Sequence, residues 1–248
     1  MQVVVQDLIT SYSRFGKGKQ VLILHGWGDS SASWKNFAKR LAVDYEVIVL
    51  DLPGFGKTQP PDTAWNLTNY AEFVQAFIRK LAVKPYAIIG HSNGGAIAVR
   101  GVGQGILQTD KLILFASHGV RGTKTRKALY IVSKVGKVMA SPLPMNVQVR
   151  LRNTLYRKAG SDLLVAEHMQ ETFKRIVRDD VRVDAAYIST PTLLVYGELD
   201  TEAPVSLGRQ LHDAIEGSVF QVLPGVGHFL HHDAEDRTLE LAREFLDA

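Results

Sequence analysis

The sequence predicts an α/β protein built on a doubly wound, mostly parallel β-sheet with a helical cap insertion. Six apolar, β-branched runs recur along the 248 residues. They are continuous rather than alternating, which is typical of strands buried on both faces of a parallel sheet. Helical patterns lie between several of the runs, as a succession of βαβ units requires. The predicted strands are 20–26, 45–51, 86–92, 111–117, 192–198 and 218–225.

Two short β-type stretches at residues 2–5 and 12–15 predict an antiparallel hairpin at the edge of this sheet. Thr68 is the expected N-cap of the first long amphipathic helix. That helix has an apolar stripe at i, i+3, i+4, i+7, i+8 and i+11, made by Tyr70, Phe73, Val74, Phe77, Ile78 and Leu81. The amphipathic segments, in chain order, are 67–83, 206–215 and 234–246.

The middle of the chain interrupts the alternation of strands and helices. Residues 119–187 contain no convincing strand pattern, but they contain helical stretches such as 127–139 and 161–180. We therefore predict a core formed by residues 1–118 and 188–248, with a helical, basic cap inserted between two strands. Residues 118–187 hold 14 of the Lys and Arg residues against six Asp and Glu residues, although the whole chain has a net charge of only +4.

Composition excludes several classes of protein. The chain has no cysteine, so disulfides, thiolate metal sites and a cysteine nucleophile are excluded. The N-terminal apolar run is broken by Gln6 and Asp7 and has no basic region before it, which indicates a strand rather than a signal peptide. No apolar segment approaches the roughly 18 residues that a membrane helix needs, so we expect no membrane insertion and a cytoplasmic location.

The stretch "AIIGHSNGGAIAV" (87–99) places Ser92 in a G-x-S-x-G motif between a strand pattern and a helical pattern. This context is typical of a nucleophile elbow, a strained turn that exposes the serine hydroxyl at the carboxyl edge of a sheet. Small residues two before and two after the serine, Gly90 and Gly94, allow the strand and the helix to approach closely. The motif therefore predicts a serine nucleophile.

A serine hydroxyl needs a base to remove its proton and an acid to orient that base. Asp200 follows the strand pattern 192–198, and His228 lies in a glycine-rich loop after the strand pattern 218–225. Both come in the expected order after Ser92, at strand ends that share one edge of the sheet. We predict that Ser92, Asp200 and His228 form the catalytic triad.

Other residues near these positions fit the same roles less well. Glu198 lies closer to its strand end than Asp200 and is expected to be structural. His231 and His232 are expected to be solvated at a helix start. Together with His228 and Asp233 they form a cluster on one short loop with no distant third ligand, so we predict no metal and no other cofactor.

The tetrahedral intermediate of acyl transfer needs hydrogen-bond donors for its oxyanion. One expected donor is the backbone N–H of Asn93, which follows the nucleophile, and the other is the backbone N–H of Trp27 in "HGWG" (25–28). The expected lining of the substrate pocket consists of His25, His91 and His118.

Five segments in this order resemble the α/β-hydrolase fold family over nearly the whole chain. They are "LHGWGDSSASW", "VIVLDLPGFGKT", "IIGHSNGG", "LLVYGELD" and "LPGVGHF". The resemblance implies that Ser92 is the nucleophile, His228 the general base and Asp200 its orienting acid, and that a helical cap follows the sixth strand. The glycine-rich segment 100–105 departs from the family pattern and leaves the length and rigidity of the helix after the elbow open.

The resemblance also implies a chemistry. A serine at the elbow is unlike the haloalkane dehalogenases and epoxide hydrolases of the family, which have an aspartate there. Within the resemblance, a serine at this position implies hydrolysis of a small-molecule carboxylic ester or thioester through an acyl-enzyme intermediate. Carbon–carbon bond hydrolases and perhydrolases share the same motifs. A ligand-binding protein with the same fold also remains open, because fold does not establish function.

The basic segment 118–187 has two interpretations: a solvated helical surface, or a surface that attracts an anionic substrate or an acidic carrier protein. The motifs "DLPGFG" and "YGELD" resemble those of esterases that demethylate pimeloyl esters on acyl carrier protein, in which basic cap residues meet the carrier. The segment lacks a recognisable nucleic-acid-reading motif, so we do not expect nucleic acid as a partner.

Overall fold

The computed structural model of the chain describes residues 1–120 and 167–248. Within them, the strands β1–β8 are Gln2–Val5, Leu8–Phe15, Gln20–Leu24, Glu46–Leu50, Pro85–His91, Lys111–Phe115, Thr192–Gly197 and Val219–Leu223. They form one sheet in the spatial order β1-β2-β4-β3-β5-β6-β7-β8. β1 and β2 form the predicted antiparallel hairpin, and β2 also pairs antiparallel with β4. All other neighbours are parallel.

These strands confirm the predicted α/β class and the predicted sheet. Residues 21–24 of β3 and 47–50 of β4 are fully buried, as continuous apolar runs require. The exception is β8, where burial alternates and Val219 is 44% exposed. β8 pairs only with β7 and lies at the edge of the sheet, which explains its partial exposure.

Helices in the described ranges connect the strands and pack in two groups. α1 (Lys35–Leu41) packs against α8 (Glu235–Asp247). α3 (Asn93–Gly103) packs against both α2 (Leu67–Lys80) and α5 (Arg182–Ala185). No helix within residues 1–120 and 167–248 combines the length and the apolar character needed to cross a membrane. The helices α1–α8 are Lys35–Leu41, Leu67–Lys80, Asn93–Gly103, Gln170–Ile176, Arg182–Ala185, Val205–Ala214, Leu230–Asp233 and Glu235–Asp247, and a 3-10 turn covers Glu167–Met169.

The predicted N-cap of α2 is wrong. Asn66, not Thr68, caps the helix: its side chain accepts a hydrogen bond from the backbone N–H of Asn69, and the Asn69 side chain accepts one from the backbone N–H of Asn66. This reciprocal pair satisfies two N–H groups that the first helical turn leaves open. The Thr68 hydroxyl instead accepts a hydrogen bond from Arg100 on α3.

The glycines of 100–105 do not shorten the helix after the elbow, because α3 continues to Gly103. A Cβ at Gly101 would lie 2.4 Å from a methyl carbon of Leu107, and one at Gly103 would lie 2.2 Å from the carbonyl oxygen of Asp184. The two glycines therefore let α3 pack closely against its neighbours. The amphipathic segment predicted over 234–246 is confirmed as α8, which begins at Glu235, and the short α7 precedes it as a separate helix.

The insertion between β6 and β7 is described at its two ends. The backbone N–H of Val181 donates to the carbonyl oxygen of Gly119 at 2.8 Å, so the ends of the insertion are neighbours. α4 lies inside the helical stretch predicted over 161–180, and α5 follows it. The helix predicted over 127–139 lies outside the described residues, and the domain boundaries 119 and 187 stay predictions.

Candidate active site

Ser92 lies between the end of β5 and the start of α3, as the elbow prediction requires. Its backbone has φ 52° and ψ −117°, outside the regions that L-residues ordinarily occupy. Hydrogen bonds hold the turn on both sides: the Ser92 N–H donates to the carbonyl of Phe115 at 3.0 Å, and the Ser92 carbonyl accepts from the N–H of His118 at 3.0 Å. Backbone strain of this kind persists where the surrounding structure fixes it in this way.

The glycines around Ser92 make this turn sterically feasible. A Cβ at Gly94 would lie 2.2 Å from the carbonyl oxygen of Leu24 at the end of β3, and one at Gly90 would lie 2.6 Å from Cα of Gly95. A Cβ at Gly95 would lie 2.5 Å from Oγ of Ser117. These positions have room only for hydrogen, which allows the helix to start directly against the adjacent strands.

His228 and Asp200 meet directly at the same edge of the sheet. Nδ1 of His228 lies 2.7 Å from Oδ2 of Asp200, and both side chains are almost fully buried. Because an ionised carboxylate only accepts hydrogen bonds, Nδ1 of His228 is the donor and Nε2 is left to take up or release a proton. This is the contact expected between a general base and its orienting acid.

The chain holds the Asp200 carboxylate in place from its other side. Oδ1 accepts hydrogen bonds from the backbone N–H groups of Glu202 at 2.7 Å and Ala203 at 2.9 Å. Glu198, the rival acid, instead accepts a hydrogen bond from the N–H of Gly225 at 2.9 Å and supports the loop before His228. The structure therefore brings Asp200, and not Glu198, to the histidine.

His25 does not occupy the pocket position that we expected. The ring is fully buried; Nε2 accepts from the N–H of Leu52 at 2.9 Å, and Nδ1 donates to the carbonyl of Gly26 at 2.7 Å. Burial lowers its pKa, which favours the neutral ring that these two bonds need. His25 thus fixes the start of the "HGWG" loop instead of lining a pocket.

His91 is likewise buried, and it connects the elbow to the loop of the proposed base. Its Nε2 donates to the carbonyl oxygen of His228 at 3.0 Å, and its ring lies 4.8 Å from the ring of His228. Burial, assisted by the proximity of His228, lowers the pKa of His91 well below its ordinary value. Since His91 precedes Ser92 directly, this bond joins the segment of Ser92 to the segment of His228.

His118 lies beside His228, with 5.5 Å between the two ring centroids. Burial, with a smaller contribution from His228, lowers the pKa of His118 to about 4, so the ring is neutral at pH 7. Its Nε2 is buried and has no hydrogen-bond partner within residues 1–120 and 167–248. That His118 lines a substrate pocket stays a prediction.

The segments expected to supply the oxyanion hole both adjoin Ser92. Asn93 is the first residue of α3, and its buried side-chain amide has no hydrogen-bond partner in the described ranges. The loop of Trp27 passes close to the elbow, because a Cβ at Gly26 would lie 3.2 Å from Cβ of Ser92. The Trp27 ring packs 4.8 Å from Phe55 and forms an aromatic wall next to the site.

For two residues near Asp200 and His228 the structure differs from the sequence analysis: His231 was expected in another environment, and Glu202 was not considered. His231 is buried, not solvated, and stacks on Trp34 with 3.8 Å between ring centroids. Glu202 places Oε2 3.6 Å from Nε2 of His228. Its position two residues after Asp200 was the available signal, but side-chain direction in a loop does not follow from spacing. In the described part of the chain, no group of three or more His, Asp or Glu residues is arranged to hold a metal ion.

A family model matches most of this chain and shows which family it belongs to. Residues 21–241 match the model described as "Alpha/beta hydrolase family". The chain belongs to the alpha/beta hydrolase family. The sheet order, the elbow at Ser92 and the paired Asp200 and His228 are therefore features of a family member, and the predicted fold and family are confirmed.

Proteins similar to this chain include a hydrolase named for its substrate, an uncharacterized protein and an esterase. It is 27% identical to the 2-hydroxy-6-oxo-6-(2'-aminophenyl)hexa-2,4-dienoic acid hydrolase of Metapseudomonas resinovorans, a match that covers 89% of this chain and 81% of that protein. It is 27% identical to an uncharacterized protein of Mycobacterium tuberculosis, over 94% of this chain and 76% of that protein. The structure of an esterase from Exiguobacterium antarcticum is similar with a TM-score of 0.80 and 21% identity, covering 100% of this chain and 99% of that chain.

Proposed function

We propose that this alpha/beta hydrolase cleaves small carboxylic esters, thioesters included, with Ser92 as the nucleophile, His228 as the general base and Asp200 as the orienting acid. The observation that carries the proposal is the 2.7 Å contact between Nδ1 of His228 and a buried Asp200 carboxylate, at the sheet edge where Ser92 occupies a strained turn. This combination has the chemistry of acyl transfer through a covalent intermediate.

The first half of the reaction follows from the polarity of these groups. Nε2 of His228 takes the proton of the Ser92 hydroxyl as Oγ bonds to the substrate carbonyl carbon. The resulting imidazolium donates from Nδ1 to Asp200, whose carboxylate remains ionised and is held by two backbone N–H groups. His228 then gives the proton on Nε2 to the leaving alcohol, which departs and leaves the acyl group on Ser92.

The second half repeats these steps with water. His228 removes a proton from a water molecule, the oxygen attacks the acyl carbon, and Ser92 leaves with the proton returned from Nε2. In both halves the carbonyl oxygen carries a developing negative charge. We propose that the backbone N–H groups of Asn93 and Trp27 stabilise that charge, as donors fixed beforehand contribute a few kcal/mol each in such sites.

Hydrolysis of a carbon–carbon bond is the second candidate. It is supported by the relative from Metapseudomonas resinovorans, which is named as the hydrolase of a dienoic acid. The proposed triad serves both reactions, and the two candidates differ in the leaving group that His228 protonates, an alcohol oxygen or a carbon.

Two further predictions from the sequence stay predictions. The recruitment of an anionic substrate or acidic carrier by the basic segment involves mostly residues 121–166, which lie outside the described residues. Its test is a carrier-linked acyl methyl ester compared with the free ester at rising salt. The cytoplasmic location also stays a prediction.

The proposed function is tested with an active-site probe and a series of esters. We expect a fluorophosphonate probe to label the wild type and not Ser92→Ala, and we expect p-nitrophenyl esters to be hydrolysed with a maximum at one acyl chain length. Circular dichroism of both proteins shows whether the variant is folded. A folded wild type that neither reacts with the probe nor hydrolyses any ester would contradict the proposal and favour a ligand-binding protein.

Ester and carbon–carbon hydrolysis are separated by comparing kcat/KM on the best ester of the series with kcat/KM on a 2-hydroxy-6-oxo-dienoic acid. A preference for the dienoic acid would replace the first candidate by the second.

A further inference from the structure

Glu202 places a second carboxylate on His228, at the opposite ring nitrogen from Asp200. Its Oε2 lies 3.6 Å from Nε2, the atom that exchanges protons in the proposed reaction. The turn after β7 determines this position, because the N–H of Glu202 donates to Oδ1 of Asp200 at 2.7 Å. The backbone of Glu202 is thus attached to the orienting acid, while its side chain extends to the reacting nitrogen.

This carboxylate is accessible to solvent. Its side chain is 47% exposed, in contrast to the fully buried side chain of Asp200. Among the ion pairs between described residues, His228 is its one partner within 4.0 Å. The neighbouring His118 has a pKa lowered to about 4 and is therefore neutral at pH 7, so it does not compensate the charge.

We propose that Glu202 forms an anionic subsite for the leaving group and makes the enzyme select esters of cationic alcohols, such as amino alcohols, over esters of anionic ones. The inference rests on the proposed function, since it concerns the alcohol that His228 protonates. The acyl group, which stays on Ser92 after the alcohol has left, is not selected by this residue.

The geometry of proton transfer supports the assignment. To receive the proton, the leaving oxygen must come within hydrogen-bond distance of Nε2 of His228, about 3 Å. Groups attached to that oxygen must therefore pass within a few ångströms of Oε2 of Glu202, which is 3.6 Å from the same atom. A unit charge at that range is attracted or repelled enough to change rates by about tenfold at a half-exposed site.

The test uses three esters of one acyl group, with alcohols of similar size and different charge: choline, its neutral tert-butyl isostere and a sulfonated alcohol. We expect the wild type to hydrolyse the choline ester with a kcat/KM about tenfold above that of the neutral ester, and the sulfonated ester about tenfold below. In Glu202→Gln both ratios should approach one; each ratio compares esters within one protein, so it does not depend on how active the variant is on the neutral ester. Added salt should reduce the wild-type ratios, because it screens exposed charges.

Glu216→Gln is the matched control. It removes the same charge from an exposed residue in the turn before β8. This turn lies at the amino end of β8, whereas the site lies at the carboxyl ends of the strands, so the variant should keep the wild-type ratios. Equal charge ratios in wild type and Glu202→Gln would overturn the inference. If the neutral ester is still hydrolysed and that activity is lost in Ser92→Ala, the proposed function stands; if no ester is hydrolysed, both fall.

Discussion

At the scale of single residues, the two carboxylates near His228 have different environments and different expected roles. Asp200 is buried and bound by two backbone N–H groups, so it is rigid and suited to orient the ring. The Glu202 side chain is half-exposed near Nε2 of His228, so it is accessible to molecules that enter from solvent. Burial and hydrogen bonding, not residue type, separate an orienting acid from one that selects substrates.

Replacement of Asp200 by asparagine tests the orienting role. The side-chain amide introduced by Asp200→Asn can donate to Nδ1 of His228, which would leave the proton on Nε2 and prevent that atom from acting as a base. We expect kcat/KM to fall by about 10⁴-fold for the best ester, with fluorophosphonate labelling slowed in parallel. The amide oxygen can still accept from Glu202 and Ala203, so the melting temperature should change little.

Glu198→Gln is the control for this prediction, because Glu198 lies two residues away and supports the loop through Gly225. We expect its kcat/KM to stay within about tenfold of wild type, since the hydrogen bond that His228 donates to Asp200 is unchanged. A larger loss in Glu198→Gln than in Asp200→Asn would show that the wrong acid has been assigned to His228.

At the scale of elements, the turn from β5 to α3 joins local sequence to catalytic geometry. The G-x-S-x-G spacing indicates the turn because its glycines leave room for adjacent backbone. The structure shows which backbone they meet: Gly94 faces the carbonyl of Leu24, at the end of β3, a strand far earlier in the chain. Elbow strain and sheet packing therefore depend on one another.

The substitution Gly94→Ala tests this dependence. Its Cβ would lie 2.2 Å from the Leu24 carbonyl oxygen, so backbone must move. We expect the free energy of unfolding to fall by about 1–3 kcal/mol and the rate of fluorophosphonate labelling to fall by about tenfold or more, because the shift displaces Ser92. Denaturant unfolding and labelling kinetics measure the two effects.

Gly105→Ala provides the comparison just beyond the other end of the same helix. Gly105 has a positive φ, +69°, but nothing lies within 4 Å of the added Cβ. We expect a loss of about 1 kcal/mol from backbone strain alone and unchanged labelling. Equal labelling rates in Gly94→Ala and wild type would contradict the proposed link between packing and the nucleophile.

At the scale of the whole molecule, the parallel sheet brings together residues that are far apart in sequence. β5, β7 and β8 run parallel, so their carboxyl ends place Ser92, Asp200 and His228 along one edge. Three further histidines are buried behind and beside these residues: His25, His91 and His231. Their burial connects the stability of the fold to pH.

The stability of the molecule should decrease in mild acid because buried histidines resist protonation. Burial lowers the pKa of His231 to about 4, an effect larger than the opposing attraction of Asp29. An unfolded histidine has a pKa of about 6.5, so between these values the unfolded chain binds the proton and the folded chain does not. The stability contributed by the neutral ring is complete above about pH 6.5 and is lost as pH falls toward about 4.

The variant His231→Phe keeps an aromatic ring on Trp34 but has no group to protonate. We therefore expect its free energy of unfolding to decrease by about 1–2 kcal/mol less than that of the wild type when the pH falls from about 7 to about 5. Urea unfolding at both pH values measures the difference. His232→Phe, at the exposed neighbouring position, is the control. If the loss of stability between the two pH values is equally small in both variants, the effect does not come from the buried ring.

Much of this molecule is determined by local sequence. Continuous apolar runs indicate a sheet buried on both faces, and the structure has strands at all six of these runs. The glycine spacing indicates the elbow, and chain order places an acid and a histidine after it at strand ends. These features follow from sequence alone because periodicity and turn sterics depend on residues close together in the chain.

Only the tertiary structure decided which side chains meet. It brings Asp200 and not Glu198 to His228, gives His25 and His91 backbone partners instead of pocket positions, and caps α2 with Asn66. It also places the Glu202 carboxylate near Nε2 of His228. Loop side-chain directions and contacts between distant segments set these outcomes, and neither is encoded in the spacing of residues along one strand or helix.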